Sequence, residues 1–110
     1  MNNKELNQKL YNKLVEEEHR FIEDLKKRTV EDILMHGYAF EYTVRQDILF
    51  VMEYLELSDD QARALLMSDT PLEDLYRNVS AHVSYIEDIE ENIEEITTLM
   101  AHDMSKEEEA

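Results

Sequence analysis

Hydrophobic residues recur along most of the chain at the three- and four-residue steps of amphipathic helices. These steps predict a first helix over about residues 3–28 and a second helix from Thr29, its N-cap, to Leu55. Gly37 lies inside the second pattern, which we interpret as one continuous or mildly kinked helix. The first half of the chain therefore predicts two long helices.

Two capping boxes mark the starts of the next helices. Ser58 with Gln61 begins a short helix, and Thr70 with Glu73 begins a long one that runs to about His102. The apolar positions of the long helix advance in heptad steps; they are Ile86, Ile89, Ile93, Ile96 and Met100. We expect this seam to pack either against another helix of the same chain or against the same seam of a second copy. Flanking acids would repel each other in a parallel dimer, which favours intramolecular or antiparallel packing.

The elements together predict an all-α fold, a compact bundle of three to four helices with a long acidic C-terminal helix. One Gly and one Pro in 110 residues agree with few turns. We expect a single domain over residues 1–104 and a disordered acidic tail over residues 105–110. The apolar runs are far shorter than the ~20 residues that cross a bilayer, and no signal-peptide pattern is present, so we expect a cytoplasmic protein.

Charge narrows the classes of partner. The net charge of -16 repels phosphate and anionic lipid, so we expect no direct nucleic-acid binding and no membrane binding. A basic protein, in particular a nucleic-acid-binding one, is the favoured partner. The acids are concentrated toward the C-terminal end, where residues 87–95 contain six carboxylates and no basic residue. They are Glu87, Asp88, Glu90, Glu91, Glu94 and Glu95.

The acidic run has two interpretations. It is a row of charges spaced like phosphates that occupies a nucleic-acid-binding groove, or it is a solvated helix face beside the apolar seam. A second candidate surface combines Tyr38, Tyr42 and Arg45, which share one helical face with Glu41. Tyr and Arg are frequent hot-spot residues of protein interfaces. The alternative is that the tyrosines cover the edge of the core.

Catalytic and metal-binding patterns are missing from the sequence. The chain has no cysteine and no Gly-rich phosphate loop, so we expect no enzyme and no cofactor. Glu16 and His19 match the Glu-x-x-His spacing of carboxylate-bridged metal bundles, but such a site needs this pair twice, so no metal site is predicted. His82 lies at a seam position, where it is a ligand, a pH switch or a histidine satisfied at a helix interface.

Several short strings resemble motifs of an uncharacterised family of small bacterial domains. They are residues 39–49, residues 57–58, residues 61–66 and residues 70–76, and the resemblance spans Leu10 to Arg77. The family occurs mainly in gut clostridia and their mobile elements. Because its function is unknown, the resemblance implies no catalytic or binding residues. It implies a context in which small acidic proteins blunt host defences.

The sequence therefore predicts a non-enzymatic acidic protein-binding module. The leading hypothesis is a nucleic-acid mimic that inhibits a basic DNA- or RNA-handling protein of host defence. The alternative is a structural or adaptor module, monomer or homodimer, that self-associates or binds a partner helix through the apolar seam. A carboxylate-metal enzyme that uses Glu16 and His19 is a third hypothesis.

Overall fold

The structure is a computed structural model that describes the backbone of residues 1–82 and 86–109 and the side chains of residues 1–79 and 88–104. This part of the chain forms six helices and contains no strand, which confirms the all-α prediction. The predicted number of three to four helices is too low. The helices are α1 (Asn3–Leu25), α2 (Val30–Met35), α3 (Tyr38–Tyr54), α4 (Asp59–Leu66), α5 (Pro71–His82) and α6 (Ile86–Glu109).

One additional helix arises because the chain breaks at Gly37, between α2 and α3. Gly37 has a φ of 75°, in the left-handed region that residues with a Cβ rarely adopt. The His36 amide closes α2 by donating to the Asp32 carbonyl at 3.1 Å, and α3 starts again after the glycine. The continuous or mildly kinked helix predicted here is therefore wrong. Phe40 belonged to the predicted stripe, yet after the break it is 59% exposed.

The other additional helix arises because α5 ends at His82 and α6 begins at Ile86, so the single long helix predicted from Pro71 is also wrong. Helix α6 folds back along α5, and Asn78 of α5 and Ile96 of α6 line the same surface groove. In one straight helix these two residues would be about 27 Å apart. Because the chain reverses direction, the acidic helix α6 packs on the outside of the bundle and does not extend away from it.

The end of α6 also differs from the sequence prediction. The helix continues to Glu109, whereas the sequence predicts a disordered tail from Ser105. This stretch contains no Gly or Pro, and its lysine and glutamates have good helix propensity. The side chains of residues 105–110 lie outside the described part of the structure.

One hydrophobic core joins α1, α3, α4, α5 and α6. Its leucine, isoleucine and valine members with at most 1% exposed surface are Leu10, Leu14, Ile48, Val51, Leu57, Leu65, Leu72, Leu75 and Ile93. Burial of each such side chain stabilises the fold by roughly 1.5–3 kcal/mol relative to exposure. Ile89 and Ile93 of the predicted seam belong to this core, which confirms intramolecular packing of the seam.

Polar contacts fix α4 between α1 and α6. The Asn7 side chain exchanges two hydrogen bonds of 2.9 Å with the backbone of Leu57, just before α4. The predicted capping box of Ser58 and Gln61 is confirmed, and both of its hydrogen bonds are present. At the other end of α4, Lys13 donates to the Leu66 carbonyl at 2.8 Å. With α4 held in this way, α6 packs across it and turns its polar side outward.

Helix α2 differs from the other helices because none of its residues is buried. Thr29 is its N-cap, as predicted, and its hydroxyl accepts a hydrogen bond from the Asp32 amide at 3.1 Å. Val30, Leu34 and Met35 are 67–73% exposed, so the apolar side of α2 faces solvent. None of the helices in the described ranges is both long and apolar enough to cross a membrane.

Candidate functional site

The acidic run that the sequence singled out lies on α6, and most of its described carboxylates are exposed on the outer side of this helix. The helix is amphipathic, with Ile89 and Ile93 in the core on one side. Asp88, Glu91, Glu94 and Glu95 are exposed on the other side. These four residues are called the acidic face below. Their positions follow from the helical period, because acids fill the positions between the apolar steps of the seam.

The remaining two residues of the predicted acidic run do not belong to this face. Glu90 is half-buried and accepts a hydrogen bond from the Tyr54 hydroxyl of α3 at 3.3 Å. Partial desolvation and the adjacent Glu90 carboxylate raise the pKa of Tyr54 above its ordinary value. The side chain of Glu87 lies outside the described part of the structure, as does that of His82. The structure thus brings four of the six predicted acids together.

A groove runs along the acidic face between α5 and α6, with a volume of about 460 Å³. Its lining consists of Asn78 from α5 and, from α6, Asp88, Glu91, Asn92, Glu95, Ile96 and Leu99. Asn92 is only 9% exposed, and its Oδ1 atom is buried without a hydrogen-bond donor. The groove therefore combines carboxylates with an apolar strip.

The second predicted surface, Tyr38, Tyr42 and Arg45, is not a single surface in the structure. Tyr42 is exposed, and Tyr38 is half-buried beneath the Arg28 guanidinium, which lies 4.4 Å from the ring centroid. Arg45 is only 2% exposed. Its assignment as a partner-binding residue is therefore corrected, because the phase of α3 turns it toward α1 and α5.

Arg45 is the centre of a buried ionic cluster that connects three helices. Its Nε atom donates to Glu18 Oε1 at 2.9 Å, and its Nη1 atom donates to Glu41 Oε2 at 3.0 Å and to Glu73 Oε2 at 2.8 Å. Nη2 lies 3.8 Å from Glu17 Oε2. The guanidinium also stacks on Phe21, 4.1 Å from the ring centroid. We call Arg45 with its four carboxylates the Arg45 cluster; the carboxylates belong to Glu17, Glu18, Glu41 and Glu73.

Glu17 links this cluster to the start of α5. Its two carboxylate oxygens accept hydrogen bonds from the backbone amides of Leu72 at 2.8 Å and Glu73 at 2.9 Å. These amides need an acceptor because no residue of the helix can supply one. The predicted capping box would have placed the Thr70 hydroxyl on the Glu73 amide. A carboxylate from α1 takes that position instead, and Glu73 is free to bind Arg45.

The chemistry of the Arg45 cluster is structural. Burial, and then the neighbouring Glu73 carboxylate, raise the pKa of Glu41 by more than Arg45 lowers it. In the described residues no three carboxylate or imidazole side chains are arranged to hold a metal ion. Glu16 and His19, the pair with metal-bundle spacing, are both exposed on α1. What the cluster does is join α1, α3 and α5 by charge-assisted hydrogen bonds.

Sequence reasoning missed Glu17, Glu18 and Glu73 as partners of Arg45, although a signal existed. The apolar stripe of α1 has a gap between Leu14 and Phe21, and the positions that the period assigns to the core there are glutamates. Acids at core positions require a buried cation or buried donors. Spacing alone places Glu41 one helical turn before Arg45 on the same face, and their side chains form an ion pair of 3.0 Å.

Comparison with known proteins places the chain in a family but not in a functional class. A family model described as "Protein of unknown function (DUF3848)" matches residues 6–100, and the chain belongs to this family. The predicted resemblance to an uncharacterised domain is thereby confirmed, and the match extends beyond Arg77 to include the acidic face. No curated protein and no solved structure matches the chain.

Proposed function

We propose that this protein is a non-enzymatic binding module whose acidic face docks on a basic, nucleic-acid-handling protein and competes there with phosphate. The observation that carries the proposal is the state of the four carboxylates. Asp88, Glu91, Glu94 and Glu95 are exposed, and within the described ranges none of them forms an ion pair. Their charge is available to a partner.

The density of charge supports competition with nucleic acid. The acidic face carries four carboxylates over residues 88–95. Over eight helical residues this is about one charge per 3 Å of helix axis. Each strand of duplex DNA carries about one charge per 3.4 Å of its axis. A basic groove that binds phosphates therefore meets a similar linear charge density on α6, fixed on a rigid helix.

A capture experiment from a native lysate tests the proposal. The protein is immobilised at low salt, captured proteins are eluted by a step to high salt, and labelled duplex DNA is then tested for competition with recaptured protein. We expect a nucleic-acid-binding protein that elutes with salt, because exposed charges are screened beyond a Debye length of about 10 Å at 0.1 M. A captured partner that DNA does not displace contradicts the proposed competition.

A pair of variants with equal charge provides the control. In the test variant the acidic face is neutralised by Asp88→Asn, Glu91→Gln, Glu94→Gln and Glu95→Gln. In the control variant four exposed acids elsewhere are neutralised by Asp69→Asn, Glu16→Gln, Glu53→Gln and Glu56→Gln. We expect the test variant to lose capture and the control variant to retain it. Equal behaviour of the two variants would show that only net charge matters and would refute a specific face.

Self-association is a second candidate function. The surface that favours it is the exposed apolar side of α2 and not the predicted apolar seam of α6. The apolar seam is occupied within the chain, since Ile89 and Ile93 are in the core. The exposed apolar side of α2 is available instead, and residues 20–40 around it contain four basic and four acidic residues, hence no net charge. A second copy of this strongly acidic chain meets the least repulsion at that end.

Sedimentation over a concentration series tests self-association. Met35→Glu places a charge on the exposed apolar side of α2, and Met67→Glu is the matched control, because Met35 and Met67 are 73% and 70% exposed. We expect Met35→Glu to abolish a dimer that Met67→Glu preserves. A protein that stays monomeric at all concentrations rules out this candidate.

A further inference from the structure

The corner that joins α1 to α3 leaves part of an apolar stripe uncovered. Val30, Leu34 and Phe40 at this corner are 59–73% exposed, and no residue of α2 is buried. In one straight helix these three side chains would lie on the same side as Val44 and Ile48 of α3. The sequence is thus periodic for a continuous helix, although the chain bends at Gly37.

Arg28 connects all three helices at this corner. Its guanidinium binds Asp24 of α1 at 3.3 Å and Asp32 of α2 at 3.1 Å, so α1 and α2 are joined to each other by ion pairs. The same guanidinium stacks on the Tyr38 ring of α3, 4.4 Å from its centroid. Between α2 and α3 the chain turns at Gly37, whose φ of 75° produces the bend.

A helical conformation at Gly37 would join α2 and α3 into one helix over residues 30–54, about 37 Å long. The start of α2 would then lie about 12 Å from Tyr38 along the axis, so Arg28 could no longer stack on this ring. The two ion pairs of Arg28 are local and persist, so α1 moves together with α2. Helix α1 therefore leaves its own α3, and the core that it uncovers needs another α1.

A second copy of the chain supplies that helix. Residues 20–40 contain four basic and four acidic residues, so two such corners meet without the repulsion that the net charge of -16 imposes elsewhere. An exchanged α1 makes the same contacts as before, now between chains; among them is the 2.9 Å hydrogen bond from Arg45 to Glu18. Exchange of an identical element in this way is a low-cost route to a dimer. The uncovered apolar stripe is buried where the two straightened helices cross.

We infer that Gly37 is the hinge of a helix-exchange dimer, in which α2 and α3 straighten and α1 of each copy packs on α3 of the other. The inference rests on the second candidate function, self-association through α2, and specifies how the two copies combine. Glycine opposes the exchange, because it adopts the bend without strain and is a poor residue in the middle of a helix. The hinge residue thus favours the monomer.

Two substitutions at Gly37 test the hinge, and both place a Cβ where nothing lies within 4 Å. Gly37→Ala disfavours the bend and favours the straight helix, whereas Gly37→Asn is the matched control, because asparagine visits the left-handed region. Each protein is refolded from urea at high concentration, and sedimentation over a concentration series gives the dissociation constant of the dimer. We expect this constant to be about a hundredfold lower for Gly37→Ala than for Gly37→Asn, about tenfold for each of the two hinges. Equal constants overturn the inference.

Isotope labelling shows whether α1 has changed chains. Uniformly ¹³C-labelled and unlabelled Gly37→Ala chains are mixed in urea and refolded together, and isotope-filtered NOEs then report contacts between chains only. We expect such NOEs between the core methyl groups of α1 around Leu14 and those of α3 around Ile48. Both regions are about 16 Å from the corner along their helices, so contact through α2 alone cannot produce these signals.

The same measurements separate the inference from self-association itself. A Gly37→Ala dimer whose filtered NOEs involve only α2 and the start of α3 refutes helix exchange and leaves self-association through α2 standing. If wild type and both variants stay monomeric at every concentration, both ideas fail. Docking by the acidic face is unaffected by either result, because the capture experiment tests it separately.

Discussion

Replacement of Arg45 by methionine removes the buried positive charge on which the carboxylates of Glu17, Glu18, Glu41 and Glu73 converge. Methionine occupies a similar volume and supports a helix, so the change is directed at charge and hydrogen bonding. Three N–H···O contacts of 2.8–3.0 Å disappear, and so does stacking on Phe21. The carboxylates then repel one another in a partly desolvated site.

The magnitude follows from these contacts. Removal of one partner of a buried ion pair costs about 3–5 kcal/mol, because the other partner stays buried and uncompensated. Domains of this size are stable by roughly 5–15 kcal/mol. For a chain of this length, about 4 kcal/mol corresponds to a fall of roughly 15 °C in the melting temperature. We therefore expect Arg45→Met to be one of the most destabilising single substitutions in the protein.

Urea unfolding followed by circular dichroism at 222 nm measures this loss. Arg63→Met is the matched control, because Arg63 is exposed and no ion pair involves it in the described ranges. It makes the same change in net charge and should cost less than about 0.5 kcal/mol. A loss below 1 kcal/mol at pH 7 refutes the argument.

Three further changes test other parts of the fold. Glu41→Gln should stabilise the protein at pH 7, because a raised folded-state pKa means that the ionised carboxylate of Glu41 destabilises the folded protein. The gain, measured by urea titration, should disappear below about pH 4.5, where this carboxyl is protonated in the folded and the unfolded protein alike. Gly37→Ala should cost about 1–2 kcal/mol because of the positive φ. A steric clash does not add to this cost, since nothing lies within 4 Å of the added Cβ. A neutral result by thermal unfolding would mean that the α2–α3 junction relaxes. Ser58→Ala breaks the α4 capping box and should cost about 1 kcal/mol by urea titration, whereas Ser58→Thr keeps a hydroxyl that can cap the helix and serves as its comparison.

Sequence patterns predicted the local parts of this fold better than the chain reversals. The Thr29 cap and the Ser58 box depend on residues three positions apart, and both are confirmed. The break at Gly37 was missed because the apolar period continues across it, and the period alone does not report a change of direction. The reversal of direction from α5 to α6 was missed for the same reason, since no glycine or proline follows Pro71 in the sequence.

The candidate site shows the same division between local and long-range information. Exposure of Asp88, Glu91 and Glu95 follows from the heptad steps of the seam, which the sequence displays. The partners of Arg45 do not follow, because Glu18 and Glu73 are 27 and 28 residues away from it along the chain. Only the packing of α1 and α5 against α3 brings those carboxylates to one guanidinium.

The uneven placement of charge has a consequence for how the protein approaches a partner. Residues 20–40, which include α2, carry no net charge and lie at the N-terminal end of α3. The acidic helix α6 reaches the C-terminal end of α3, where Glu90 contacts Tyr54 about 24 Å farther along α3. The molecule is thus an electric dipole as well as a polyanion. In the field of a basic protein it experiences a torque that turns α6 forward before contact. Ionic strength should consequently change the association rate constant much more than the dissociation rate constant.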